Sequence, residues 1–312
     1  MAAKILSKSS NLTLPIKPRK YLSSVKNPLV KPCPCAKNHI SCGYVVISQI
    51  IGCPYNCSYC YLQTFYGKEE IAIVTDEAEI LRQTKEYMEH SPQSLRIGTG
   101  EFSDSLAITE AAALAQKLVR LFAGQERHLL ELKTKSVNIE GLLDLEHNQK
   151  TVVAWSLNPE SIAKTEESDA PSPVERLEAA KKCAEAGYQI GFHFDPIIFF
   201  DGWEREYEGI VGKIGEYVLP KQIAWISLGA LRFPVKQKEV IQKKHRHSRI
   251  DFARMIQGKD NKLRYPVPLR IELFNRLAET IYRLLSKEID LYLCMEEREV
   301  WDGTVVGKKK KA

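Results

Sequence analysis

Largely apolar runs of seven to eleven residues recur along most of the chain, separated by longer stretches in which apolar positions return every three or four residues. "YVVISQII" (44–51) is the first such run and reads as a buried strand. "SLRIGTG" (94–100), "HLLELKTK" (128–135), "TVVAWSLN" (151–158), "YQIGFHFDPII" (188–198) and "QIAWISLGAL" (222–231) are five further strand expectations. Between them lie helical patterns, among them 76–90 and the Ala/Leu-faced segment 105–122. One helix is well punctuated. Ser172 offers an N-cap, Pro173 the first helical position, Glu175 the second half of a capping box, and Gly187 the stop.

Six apolar strands alternating with helices predict an α/β fold with a parallel sheet, either a partial barrel or a doubly wound sheet. Both gather ligands at the C-terminal ends of the strands. Residues 1–43 are rich in proline and lack periodicity, so they read as an extended N-terminal arm. The barrel or sheet is expected over 44–231 and a basic C-terminal region over 232–312, where "RIELFNRLAETIYRLL" (270–285) is an amphipathic helix packed on the core. No apolar run of about 18 residues occurs, so no membrane span is expected. The first thirty residues mix Lys, Pro and Ser without an apolar core, so no secretory signal is expected and the cytoplasm is the expected location.

Charge changes the picture through its distribution. The net value is +6, yet residues 1–68 hold nine Lys or Arg and no acid. Residues 232–270 hold twelve Lys or Arg against Glu239, Asp251 and Asp260. Such a stretch is either a solvated surface or a polyanion-binding face.

Eight cysteines in 312 residues make no disulfide scaffold; clustered thiols in a reducing compartment indicate metal or redox chemistry. Cys53, Cys57 and Cys60 are spaced C-x3-C-x2-C. A structural zinc site asks for four ligands. A 4Fe–4S cluster can be held by three thiolates, with its fourth iron open to a ligand. Cys33, Cys35 and Cys42, with His39, form a second group that could ligate an auxiliary metal or cluster, supply a catalytic thiol, or be structural. Cys183 and Cys294 read as core packing.

The trio, with Tyr59 before its last cysteine, resembles the cluster motif of radical S-adenosylmethionine enzymes. In order along the chain, "CSYCYLQT", "GEFSDSLA", "SLNPESI", "ERLEAAKKCAEAGY", "DPIIFFDGWEREY", "LRFP" and "YLCME" resemble the spore photoproduct lyase family of DNA-repair enzymes. The resemblance implies a partial (β/α)6 barrel of the TIM type, with a C-terminal extension. It implies a 4Fe–4S cluster on Cys53, Cys57 and Cys60, and S-adenosyl-L-methionine beside Tyr61, Gly100, Glu101, Ser103, Lys135, Ser156, Asn158 and the backbone of Asp195. The implied chemistry is a 5′-deoxyadenosyl radical that splits a methyl-bridged thymine dimer in DNA, driven by an external one-electron reductant such as flavodoxin or ferredoxin. Lys236, Lys238, Lys243, Lys244, Arg246 and Arg249 would contact phosphates. Arg264, Tyr265 and Arg270 would hold the extruded lesion.

One position departs from the family. Where the lyase has a hydrogen-donating cysteine, this chain has Glu101, and a carboxyl O–H is too strong a bond to replace a thiol. Tyr59, Tyr61 or a loop cysteine would then complete the reaction, or the radical acts on another base, a small molecule or a protein residue. A metal- or cluster-bearing nucleic-acid-binding protein without catalysis is the reading from a different class.

Overall fold

The computed structural model describes residues 17–35, 38–65 and 70–311. Residues 1–16 of the expected arm lie outside them. Eight strands form the central sheet: β1 (Val30–Pro32), β2 (Tyr44–Ile47), β3 (Arg96–Gly98), β4 (Leu129–Thr134), β5 (Thr151–Ser156), β6 (Gln189–Ile197), β7 (Ile223–Ala230) and β8 (Leu291–Leu293). Their spatial order equals their chain order, and every neighbouring pair from β2 to β8 is parallel. A doubly wound sheet reverses its order at a switch point. This one never does, so the open alternative resolves to a curled half-barrel.

Six strands were expected and two short ones extend the sheet. β1 pairs antiparallel with β2, with Leu29 and Val30 buried, so part of the arm is built into the sheet. β8 comes from "IDLYLC"; three residues are too few for alternation to declare a strand. The expected strand 44–51 divides, because Ser48 and Gln49 separate β2 from the pair Ile50–Ile51.

Helices α1 (Glu77–Glu89), α2 (Thr109–Ala123), α3 (Pro173–Glu185), α4 (Trp203–Tyr217), α5 (Val235–Lys244) and α6 (Val267–Leu284) connect and cover the strands. The capping box of α3 forms as expected, with Gly187 at φ +92° behind it. Between β4 and β5 only a single 3-10 turn, Glu140–Leu142, replaces a crossover helix. Alternate strand residues divide the sheet in two. Leu130, Leu132, Phe192, Phe194, Ile226 and Leu228 join Leu114, Leu118, Leu177, Ile214 and Leu273 of the helices in one core. Among the described residues no helix is long and apolar enough to cross a membrane.

The opposite face is polar and aromatic. Glu131 is buried, accepts a hydrogen bond from Trp225 Nε1 at 3.3 Å, and lies 2.7 Å from His193 Nε2 and 3.4 Å from Arg96 Nε. Burial would raise its pKa, but Arg96 and His193 outweigh that and hold it at about 2. Arg96 itself lies against the rings of Tyr44, Trp225 and Tyr292. The gap between the sheet's two edges is bridged by the segment before β2. Cys33 N donates to Tyr44 O at 2.8 Å, and Ile40 N donates to Glu296 O, beyond β8, at 2.9 Å.

Candidate active site

The loop after Ile50–Ile51 carries the cysteine trio, and it turns where only glycine fits. Gly52 has φ +105°, and a Cβ there would meet Glu70 O at 3.1 Å. Asn56–Cys57 then pairs antiparallel with Glu167–Ser168, which ties the loop to the far side of β5. At the C-terminal mouth of the half-barrel lies a cavity of about 410 Å³. Its wall includes Cys53, Cys57, Cys60, Tyr59, Tyr61, Gly100, Glu101, Ser103, Lys135, Ser156 and Asp195. Residues far apart in sequence therefore meet, because each follows a successive strand.

Gly100 keeps one side of this cavity narrow: a Cβ would come within 2.4 Å of Lys133 Cβ. Tyr61 donates to both the backbone oxygen and Oε1 of Glu101 at 3.2 Å. Ser103 Oγ is buried without a protein partner, and Lys135 Nζ stands 4.0 Å from Glu167. Behind the wall, Glu167 is fully buried between Tyr59 O–H, Asn158 Nδ2 and Arg176, whose guanidinium lies 2.6 Å away. Burial pushes its carboxyl up, yet Arg176 and Lys135 hold it at about 2.

Other expected residues fall elsewhere. Asn158 lies one layer behind the cavity, donating to Glu167 at 2.9 Å and accepting from Tyr207 O–H at 2.8 Å. Asp195 commits its carboxylate to Arg232 at 3.0 Å, which leaves only its main chain for a ligand. Arg264, Tyr265 and Arg270 correct the expectation that they hold an extruded base. Tyr265 is fully buried and accepts from Phe199 N at 2.9 Å. Arg264 pairs with Asp260, and Arg270 with Glu296. All three carry apolar stems or rings that the core takes up once a carboxylate or amide meets the polar end.

The second cysteine group stays together only in part. Cys33 lines the cavity, Cys35 lies beside it, and Cys42 is exposed. The Cys33 thiol donates toward Cys35 and lowers the latter's pKa to about 7 against its burial. Among the described residues, no three Cys, His, Asp or Glu side chains converge on a single-ion site. Cys294 corrects the core-packing expectation: it lines the cavity, with Arg232 Nη2 at 3.6 Å from its sulfur. Sequence reading also missed Lys133, Arg232 and Asp104. Asp104 accepts from Thr134 Oγ1 and from Lys135 N, both at 2.6 Å, and so aims the end of β4. The alternation Glu131, Lys133, Lys135 was the available signal for Lys133.

The basic stretch is exposed at Lys236, Lys243, Lys244, Arg246 and Arg249, with Lys238 half-buried over Phe252. It also touches the cysteine loop. Gln237 Nε2 donates to Ser58 O at 2.7 Å. The buried Glu166 accepts from Ser58 and, at 2.8 Å, from Ser248.

Three free thiols on one cavity wall beside an orphaned hydroxyl and a lysine ammonium fit a cluster and an amino-acid cofactor. A curled parallel half-barrel with that site defines a radical S-adenosylmethionine protein. The chain belongs to the spore photoproduct lyase family: the family model described as "Spore photoproduct lyase" matches residues 36–268. Spore photoproduct lyase of Bacillus subtilis (strain 168) is 32% identical over 205 residues, covering 64% of this chain and 60% of the relative. That of Clostridium acetobutylicum is 28% identical over 196 residues, covering 62% and 58%. The chain thus spans about three fifths of the length of these curated relatives. A solved spore photoproduct lyase complexed with dinucleoside spore photoproduct superposes with a TM-score of 0.74 at 25% identity, covering 88% of this chain and 82% of that one. A variant of the lyase with bound AdoMet and dinucleoside spore photoproduct gives 0.71 at 26% identity, covering 86% and 80%.

Proposed function

We propose that this protein is a radical S-adenosylmethionine lyase that repairs a thymine lesion in DNA. The observation that carries the reading is the meeting, in one cavity, of three thiols with Ser103, Lys135 and Ser156. A 4Fe–4S cluster and S-adenosylmethionine would supply the radical that starts the reaction. Cys53, Cys57 and Cys60 would hold the cluster. Lys135 and Ser103 would bind the methionine carboxylate, and Asp195 would offer its main-chain oxygen to adenine. Gly100 and the apolar wall would keep the reacting centre dry. Residues 44–231 would be the catalytic half-barrel and 232–312 the DNA-contacting region, with Lys236, Lys238, Lys243, Lys244, Arg246 and Arg249 on phosphates. The working location would be the cytoplasm, with a flavodoxin- or ferredoxin-like donor of one electron.

Glu101 favours a second reading in which the same radical serves another substrate. Its carboxylate is engaged by Tyr61 at 3.2 Å and holds no transferable hydrogen of thiol strength. Anaerobic reconstitution with dinucleoside spore photoproduct separates the two. Thymidine release together with 5′-deoxyadenosine supports the first; 5′-deoxyadenosine without repair, in the wild type and in Glu101→Cys, sinks it and leaves the second.

A further inference from the structure

Lys17 lies outside the segment that the family model matches, yet it reaches the loop that carries the cysteines. Its ammonium donates to Cys53 O at 2.8 Å and to Tyr55 O at 3.0 Å. The approach is held by sheet structure. Ile71 N donates to Pro18 O at 2.8 Å, and Arg19–Leu22 runs parallel to Ile71–Val74 in continuous register. The other edge of Ile71–Val74 pairs with Ile50–Ile51, which leads directly into Gly52 and Cys53. One three-stranded sheet therefore carries both the lysine and the first cysteine. Arg19 and Tyr21 anchor its outer strand on Glu110, each at 2.9 Å.

The charges around the loop divide by position. Lys135 and Asp104 line the cavity itself, and Glu167 is buried behind it. Lys17 is no part of the cavity wall and meets main-chain carbonyls instead of a carboxylate. Among the described residues no carboxylate pairs with it, and with Cys57 buried and Cys53 and Cys60 half-buried, water screens its field at the cysteine loop only in part. Reducing a cluster adds one negative charge, and a fixed nearby cation favours that state. Net charge, hydrogen bonding and solvent exposure are the levers that set such potentials.

We propose that Lys17 is a positioning residue of the cysteine loop that also raises the reduction potential of the cluster bound there. The inference rests on the cluster assignment above. Its test is an anaerobic redox titration of the reconstituted full chain, followed by electron paramagnetic resonance, with iron content measured in parallel. Lys17→Met removes charge and bonds, Lys17→Gln keeps a donor without the charge, and Lys17→Arg keeps both. In the Met and Gln variants, the reduced-to-oxidised ratio at a fixed poise falls about tenfold, a shift of about 59 mV to more negative potential for one electron. Lys17→Arg restores most of it. An unchanged midpoint in the Met and Gln variants with full iron content overturns the proposal. If Lys17→Met loses iron, Lys17→Gln gives the decision, since a purely structural lysine would leave its midpoint alone. A wild-type chain that assembles no four-iron cluster refutes the cluster assignment itself, which is a different failure.

Discussion

Two neighbouring basic stretches end in opposite environments. Lys236, Lys243, Arg246 and Arg249 are exposed on and beyond α5, whereas Arg264 and Arg270 are only 4% and 3% exposed. Each buried guanidinium has its own carboxylate: Asp260 for Arg264 and Glu296 for Arg270. On α5 the acid is sparse, and Glu239 reaches Lys243 only at 3.9 Å. Arg249 and Arg254 lay their guanidinium groups over Phe200 and Phe199 at 5.1 and 5.2 Å while both residues stay exposed. Positive charge is a binding surface only where the chain has not neutralised it first. Arginine, with its planar fork, is the cation that a core can take up in this way.

The contrast between the two stretches is largest at Arg270. At pH 8.5, where the Glu296 carboxyl is ionised, Arg270→Leu leaves it buried without its cation, and the expected loss is about 3–5 kcal/mol in a urea unfolding curve. Replacing both partners, as Arg270→Leu with Glu296→Leu, recovers much of that. A single variant that unfolds like the wild type would place Arg270 among the surface charges. The exposed stretch should respond in binding and hardly at all in stability. The combined Lys236, Lys238, Lys243 and Lys244→Glu variant is expected to lose about a hundredfold in affinity for duplex DNA at low salt. The slope of log K against log salt should flatten by about 0.9 for each phosphate that is no longer neutralised. Unchanged affinity, or a fall in unfolding midpoint comparable to that of Arg270→Leu, would erase the distinction.

A smaller effect sharpens it further. Burial pushes the Glu296 carboxyl up to about 7, although Arg270, Arg232 and Arg264 pull it down. The folded state therefore favours the protonated form. Its contribution to stability is complete below about 4.5 and declines as pH rises through 7. Wild type minus Glu296→Gln, followed by unfolding between pH 4.5 and 7.5, should isolate a decline on the order of 3 kcal/mol. A difference that stays flat across this window would show that the ion pair with Arg270 outweighs burial.

What was legible in the sequence is what local spacing dictates. The alternation of strands and helices, the Ser172 capping box and the cysteine spacing all arise from contacts within a few residues or from one repeating period. That Lys135, Ser156 and Ser103 would share one cavity was legible too, because a parallel sheet brings the ends of its strands to one mouth. Lys133 could have been read from the period of two along "ELKTK". Asn158 was overreached by two residues, a shift that keeps the face of an extended strand but moves past its end. Cys294 and Arg232 carried no local signal. Their place depends on the curl of the sheet and on a last strand of three residues.

The chain by itself determined that a parallel α/β sheet would form and that three thiols would leave its first loop together, since hydrophobic period and ligand spacing are properties of adjacent residues. Which charges face the cavity, the surface or the core depends on contacts between residues far apart in the chain. Arg270 is as charged in sequence as Lys243, and its burial depends on Glu296, as that of the Tyr265 hydroxyl depends on Phe199 N. The same holds for Lys17. Nothing near it in sequence marks it as a partner of Cys53, and the pairing of Arg19–Leu22 with Ile71–Val74 is what carries its ammonium there.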